Sequence, residues 1–194
     1  MAATVVLESE IRAFRTAAAF AAWLKRQHAR STAVWLRIYK KASGVPGISY
    51  AQALEEALCW GWIDGQSKSF DEASYLQRFT PRRPRSNWSK INRDHVDRLE
   101  REGRMQAAGR AQVDAAKADG RWDLAYDSPS AARVPDDFLA ALAAHPEALT
   151  FYEGLNRVNH YAVAYRLQTA STPAVRQRRF IRLLEAMRAG RSLH

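Results

Sequence analysis

The sequence predicts an α+β fold, mostly helical, in which a small N-terminal β-sheet with helices is followed by a helical C-terminal part. Three observations carry this expectation. The run AVWLRIYKK alternates β-branched and aromatic residues between two helical stretches. Two further strand-like runs, WGWIDGQSKSF and SYLQRFTP, follow in close succession, and the rest of the chain reads as helices and turns. With 194 residues, 47% apolar and 26% charged, the chain is long and apolar enough for a packed core in one ordinary domain or two small ones. Residues 1–125 are expected to hold the sheet and a following helical hairpin, and residues 126–194 the helical part, as separate parts or as one compact unit.

Element by element, residues 16–30 form an amphipathic helix, with Phe20, Trp23 and Leu24 on one side and Lys25, Arg26 and Arg30 elsewhere. In the first strand Val34, Leu36 and Ile38 alternate with Trp35, Arg37 and Tyr39, and SGVPG ends it in a turn. Ser49 and Gln52 have the spacing of a capping box. The helix that follows carries a stripe of Tyr50, Ala53, Leu54, Ala57 and Leu58, with Glu55 and Glu56 outward. In the second strand Gly61 and Gly65 allow a bulge or a close backbone approach. The third strand ends at Pro81 and Pro84, which cannot pair regularly. NWSKINRDHVDRLEREG places Trp88, Ile91, His95 and Leu99 at helical spacing and stops at Gly103. MQAAGRAQVDAAKADG is a small-residue helix suited to tight packing, stopped at Gly120. A linker, RWDLAYDSPSAARVP, precedes three or four helices over 135–190, the last framed by Thr172, Pro173 and Gly190.

Cys59 is the single cysteine, which excludes an intramolecular disulfide and gives no sign of an oxidising compartment. The first residues, MAATVVLESEIRAFRT, lack a basic n-region and do not read as a signal peptide. The longest apolar run, Ala17 to Leu24, is far short of the ~20 residues of a membrane span. A cytoplasmic address follows by elimination. The formal net charge of +10 is concentrated: Leu76–Arg104 and Pro173–His194 each carry an excess of five, and the remainder balances. A clustered positive field favours an anionic partner such as nucleic acid, phosphate or a membrane surface.

Two stretches concentrate chemistry. ALCWGWIDGQ sets a thiol, two indoles, a carboxylate and an amide around two glycines; in a strand Trp62, Asp64 and Gln66 share one face and would build a ligand pocket. The plainer use of Cys59 is a small core residue, and of Asp64 a turn partner of Gly65. In RFTPRRPRSNWSK, Arg78, Arg82, Arg83, Arg85 and Lys90 surround Trp88 on a backbone held extended by prolines. Cations interleaved with an aromatic suit phosphate tracking and base stacking. Trp88 is more simply a core anchor, and the same cations could pair with acids of this chain. The last helix is basic and amphipathic, with its apolar side expected to pack on the preceding helix rather than on lipid. No P-loop, GxGxxG, GxSxG, HExxH or CxxC is present, so no cofactor and no metal site is expected.

ALCWGWIDGQ, RFTPRRPRSNWSKIN, GRMQAAG and AAKADGRWD, continued by AYDSP, VPDDFLAAL and TPAVRQRRF, resemble in order and spacing the YdeI/OmpD-associated family, also labelled bacteriocin-protection proteins. The resemblance spans about residues 14–190. It implies a bacterial protein associated with antimicrobial-peptide and bacteriocin resistance and with an outer-membrane porin, and it brings no catalytic mechanism. The porin partnership is not carried over, because the chain shows no export signal. The first expectation is a non-enzymatic stress- or bacteriocin-protection accessory protein. It would bind an anionic or protein partner through Arg78, Arg82, Arg83, Arg85 and Lys90, with Trp62 and Trp88 nearby. Nucleic-acid binding is the second expectation, and an enzyme with a pocket at Trp62, Asp64 and Gln66 the third.

Overall fold

The computed structural model describes residues 11–193; most of the N-terminal stretch read above for a signal peptide, and His194, lie outside them. The α+β architecture is as expected: a mixed sheet interleaved with helices, then helices only. The chain divides into two compact units. One runs to Ser86 and takes in Asp94–Ala116; the other takes Asn87–Arg93 and everything from Lys117 on.

The first unit is built on four strands in the order β1-β2-β4-β3. β1 (Ile11–Arg12) lies parallel to β2 (Val34–Tyr39), which is antiparallel to β4 (Ser74–Pro81). β4 is in turn antiparallel to β3 (Trp62–Ser69). β1 had no periodic signature in the sequence, since two residues cannot show one. α1 (Ala17–Gln27) starts at Thr16, whose hydroxyl accepts from the Ala19 N–H at 3.2 Å. Phe20 of α1 stacks on Trp23 and meets Phe79 of β4 at a ring separation of 5.9 Å, while Trp23 meets Trp62 of β3 edge-on at 5.8 Å. These rings form the seam between α1 and the sheet, where aromatic pairs add about 1 kcal/mol each beyond their buried area.

α2 (Tyr50–Cys59) carries the expected capping box at Ser49 and Gln52 and buries Ala53, Leu54, Ala57, Leu58 and Cys59. Glu55 and Glu56 correct the expectation that they face outward. Their side chains are only 20% and 15% exposed, and they accept from Arg98 of α3 (Lys90–Arg101) and from Arg104. Trp88 precedes α3 rather than starting its stripe, and Ile91 is exposed; Val96 and Leu99 are the buried residues of that helix. α4 (Ala107–Ala118) begins against the end of α2, and the Gln106 N–H donates to the Cys59 carbonyl at 3.1 Å.

In the second unit four helices follow one another: α5 (Asp136–Ala143), α6 (Pro146–Glu153), α7 (Arg157–Gln168) and α8 (Pro173–Arg188). Phe138, Leu142, Tyr152, Val163, Leu167, Leu183 and Met187 form their core. α8 has the predicted frame, with Thr172 as N-cap, Pro173 at the first position and Gly190 in the left-handed region at φ 60°. Trp88 packs edge-on against Trp122 at 5.0 Å, and Lys90 pairs with Asp127 at 2.7 Å. These contacts secure residues 87–93 to the stretch read as a linker, in which Trp122 and Ala125 are buried.

Candidate anion-binding site

The basic stretch after β4 begins where the strand runs out of partners. Pro81 still pairs with Trp62, and the Arg82 N–H then donates to the Gly61 carbonyl at 2.9 Å. Pro84 next occupies the second position of a turn closed by the Ser86 N–H on the Arg83 carbonyl at 3.1 Å, with Arg85 at φ 60° in the third. Those φ signs are of a type II turn, which favours proline at the second position and glycine at the third. The facing wall is the segment after α1. His28 Nδ1 donates to the Leu24 carbonyl at 2.9 Å, its ring lies 4.6 Å from that of Trp60, and its carbonyl accepts from Trp62 Nε1 at 3.2 Å. His28 is thus fixed on three sides, and Arg30, Ser31 and Thr32 follow from it.

Between these walls lies a recess of about 490 Å³, lined by His28–Thr32, Arg78 and Thr80–Pro84. It contains four arginines, three hydroxyls and no carboxylate. The guanidinium groups of Arg30, Arg78 and Arg83 make no hydrogen bond or ion pair with any described residue. Elsewhere in the same unit arginines are matched with acids: Arg37 with Asp71, Arg98 with Glu55 and Glu102, Arg104 with Glu55, Glu56 and Glu102. The chain therefore neutralises some of its arginines internally and leaves this set to the recess. Guanidinium forks beside Ser and Thr hydroxyls supply donors for the acceptor oxygens of a phosphate or carboxylate.

Residues 12–112 match the family model of a domain of unknown function (DUF8412), which is more than half of the chain. Residues 131–190 match the model described as bacteriocin-protection, YdeI or OmpD-associated. The chain belongs to the DUF8412 family, and its C-terminal part to the YdeI/OmpD-associated family. No curated protein and no solved structure matches it. The YdeI/OmpD-associated match is narrower than the resemblance read from the motifs. WGWIDG and PRRPRSNWSKIN fall in the DUF8412 part, whereas VPDDFLAAL and TPAVRQRRF fall in the YdeI/OmpD-associated part.

All residues of the recess lie within the DUF8412 part, and of the residues singled out in the sequence it gathers Arg78, Arg82 and Arg83. Arg82 is 6% exposed and Arg83 is exposed, as alternate positions of an extended stretch require. Arg85 is exposed on the adjoining turn. Lys90 is engaged with Asp127, and Trp88 is 1% exposed, so this indole is a core ring. Trp62, also 1% exposed, belongs to the aromatic seam. Asp64 sits in β3 opposite Phe79, not in a turn, and accepts from the Tyr50 hydroxyl at 2.8 Å. Burial, reinforced by the Asp64 charge, raises the Tyr50 pKa and keeps that hydroxyl a donor. A bulge between Asp64 and Ser67 inserts one extra residue, breaking the alternation that would have aligned Gln66 with Trp62 and Asp64. The Gln77 amide fills the bulge, donating to the Gly65 carbonyl at 2.9 Å and the Gln66 carbonyl at 3.3 Å. Burial, with Glu56 nearby, pushes the Cys59 thiol up to about 12, so it holds no thiolate near neutrality.

His28, Arg30, Ser31, Thr32 and Thr80 were not picked out in the sequence as site residues. Arg30 and Arg78 are 48 positions apart, and only the pairing of β2 with β4, Val34 opposite Phe79, carries the segment after α1 to the end of β4. The only local trace is HARST, an imidazole, one guanidinium and two hydroxyls between a helix and a strand. Among the described residues no group of three His, Cys, Asp or Glu side chains could hold a metal ion. No helix among them is long and apolar enough to cross a membrane.

Proposed function

We propose that this chain is a non-enzymatic accessory protein that binds an anionic partner, with phosphate or carboxylate groups seated among Arg30, Arg78, Arg82 and Arg83. The observation that carries the reading is that the guanidinium groups of Arg30, Arg78 and Arg83 pair with no described acid and line a recess free of carboxylates. Ser31, Thr32 and Thr80 would supply neutral donors beside them. A role in bacteriocin protection is taken from the description of the family matched over residues 131–190, and a stress role and a cytoplasmic site of action are part of the same proposal. Nucleic acid is the second reading. The same arginines would bind its backbone, while the burial of Trp62 and Trp88 removes both of the indoles that the basic stretch was expected to offer beside them.

The test is a fluorescence-anisotropy titration with labelled single- and double-stranded DNA and RNA and with a phosphorylated acidic peptide, at several salt concentrations. Arg30→Glu/Arg83→Glu is the matched variant, because both side chains are exposed and their reversal leaves the core alone. Reversing the nearly buried Arg82 would confound binding with folding. Binding by the natural chain, weakened tenfold or more in the folded double variant, is the expected outcome. A steep fall of oligonucleotide affinity with salt would favour nucleic acid, since each neutralised phosphate releases counterions. Undiminished binding by the folded double variant would exclude the recess as the contact surface.

A further inference from the structure

We infer that the second unit carries a separate ligand site, between α7 and α8, for a small organophosphate of about mononucleotide size. A recess of about 410 Å³ opens there, within the usual range for small-molecule sites. Its polar wall is cationic. Arg166, Arg179 and Arg182 line it, and again no carboxylate does.

Arg179 is preorganised. Its Nη1 donates to the Arg166 carbonyl at 2.7 Å and to the Thr169 hydroxyl at 3.1 Å, while that hydroxyl donates to the Tyr165 carbonyl at 2.7 Å. The guanidinium therefore caps the carbonyl end of α7, where the helix dipole favours a cation, and keeps its remaining N–H groups for other acceptors. The guanidinium groups of Arg166 and Arg182 make no hydrogen bond or ion pair with any described residue. Three guanidinium groups around one recess repel one another unless an anion sits among them. Arg176, on the same helix, shows the alternative: it is paired with Asp137 at 2.8 Å.

The other wall makes this recess unlike the one in the first unit. Leu183 and Leu193 contribute apolar surface, and the half-buried Tyr165 contributes a phenol ring. That ring is held edge-on against Tyr126 at 4.8 Å and lies 5.9 Å from Tyr161. Leu193 is fixed in turn by its N–H on the Asn159 carboxamide oxygen at 2.9 Å. A phosphate alone would use the arginines and leave the apolar wall wet. A phosphomonoester with a flat or apolar group fits both walls, the phosphate at the guanidinium side and the ring on Tyr165.

The probes are adenosine 5′-monophosphate, adenosine and inorganic phosphate, titrated by calorimetry into the full chain and followed in parallel by amide chemical shifts. The nucleotide should bind more tightly than either fragment, with the largest shifts at Tyr165, Thr169, Arg179 and Leu183. Arg166→Ala/Arg182→Ala should weaken nucleotide binding by about tenfold or more. Tyr165→Leu should weaken the nucleotide and leave phosphate unchanged. Arg30→Glu/Arg83→Glu should leave nucleotide binding intact, which separates this site from the recess of the first unit. Failure of the nucleotide to bind below about 1 mM, or shifts that avoid α7 and α8, would overturn the inference without touching the proposed function.

Discussion

Arg85 adopts φ 60°, the only positive φ among the described non-glycine residues, at a turn position that glycine fills without strain. In an L-residue the Cβ crowds the following carbonyl there, at a cost of about 1–2 kcal/mol. Glycine would lift that cost and give back part of it as added freedom of the unfolded chain. Arg85→Gly should therefore raise stability by up to about 1 kcal/mol, read as a shift of the urea midpoint at constant slope. A loss of stability instead would mean that the Arg85 side chain makes contacts that hold the turn. An arginine kept where glycine fits better is consistent with a cation being useful beside the recess. None of this was legible locally: RRPRS announces a proline turn, but which arginine takes the left-handed position and which is buried follows from where β4 stops pairing.

Helices α2 and α4 illustrate what element-scale reading can and cannot reach. A Cβ at Gly109 would stand 2.3 Å from the Cys59 carbonyl oxygen and 2.8 Å from the Leu58 carbonyl oxygen, both backbone atoms that cannot swing aside. Gly109→Ala should thus destabilise the protein by about 2 kcal/mol or more, through displacement of α4 from the end of α2 and weakening of the Gln106 N–H bond to Cys59. Denaturant unfolding checks it, and a midpoint equal to that of the natural chain would show that the helices separate freely. The small-residue character of α4 pointed to tight packing from sequence alone, because it depends only on side-chain size. The capping box of α2, the frame of α8 and the irregularity near Gly65 were likewise local and legible. Glu55 and Glu56 were misread because polarity suggests an outward face, and their arginine partners lie more than 40 residues along the chain. Ile91 and Trp88 share a helical spacing, yet α3 begins only at Lys90, so one is exposed and the other buried off the helix.

At the scale of the whole molecule, the two basic segments seen in the sequence are real in charge but mixed in use. Arg98, Arg104 and Arg176 are consumed by internal carboxylates, whereas Arg78, Arg83 and Arg182 line recesses without them. Net charge per segment could not make that distinction, which depends on which acids the fold brings near. The internally paired acids also define how stability depends on pH. The Ser74 hydroxyl and Arg37 hold Asp71 below its ordinary 3.8, and Arg98 and Arg104 hold Glu102 below 4.5. Asp127 is lowered by Lys90 and Gln168, and Asp137 by Arg176. A carboxylate lowered on folding adds stability that is complete above its unfolded value and is lost as pH falls through the folded one. The Cys59 thiol works at the other end. Raised from 9.0 to about 12 by burial, it adds stability that is complete below 9.0 and disappears as pH climbs toward 12. The urea midpoint should therefore hold level between about pH 5 and 9 and fall on both sides. Cys59→Ala, a small change at a site with no thiolate to lose, should flatten the alkaline limb and leave the acid limb in place. An alkaline limb as steep in that variant as in the natural chain would assign the loss to other groups, with the Tyr50 phenol, also raised, the first to examine.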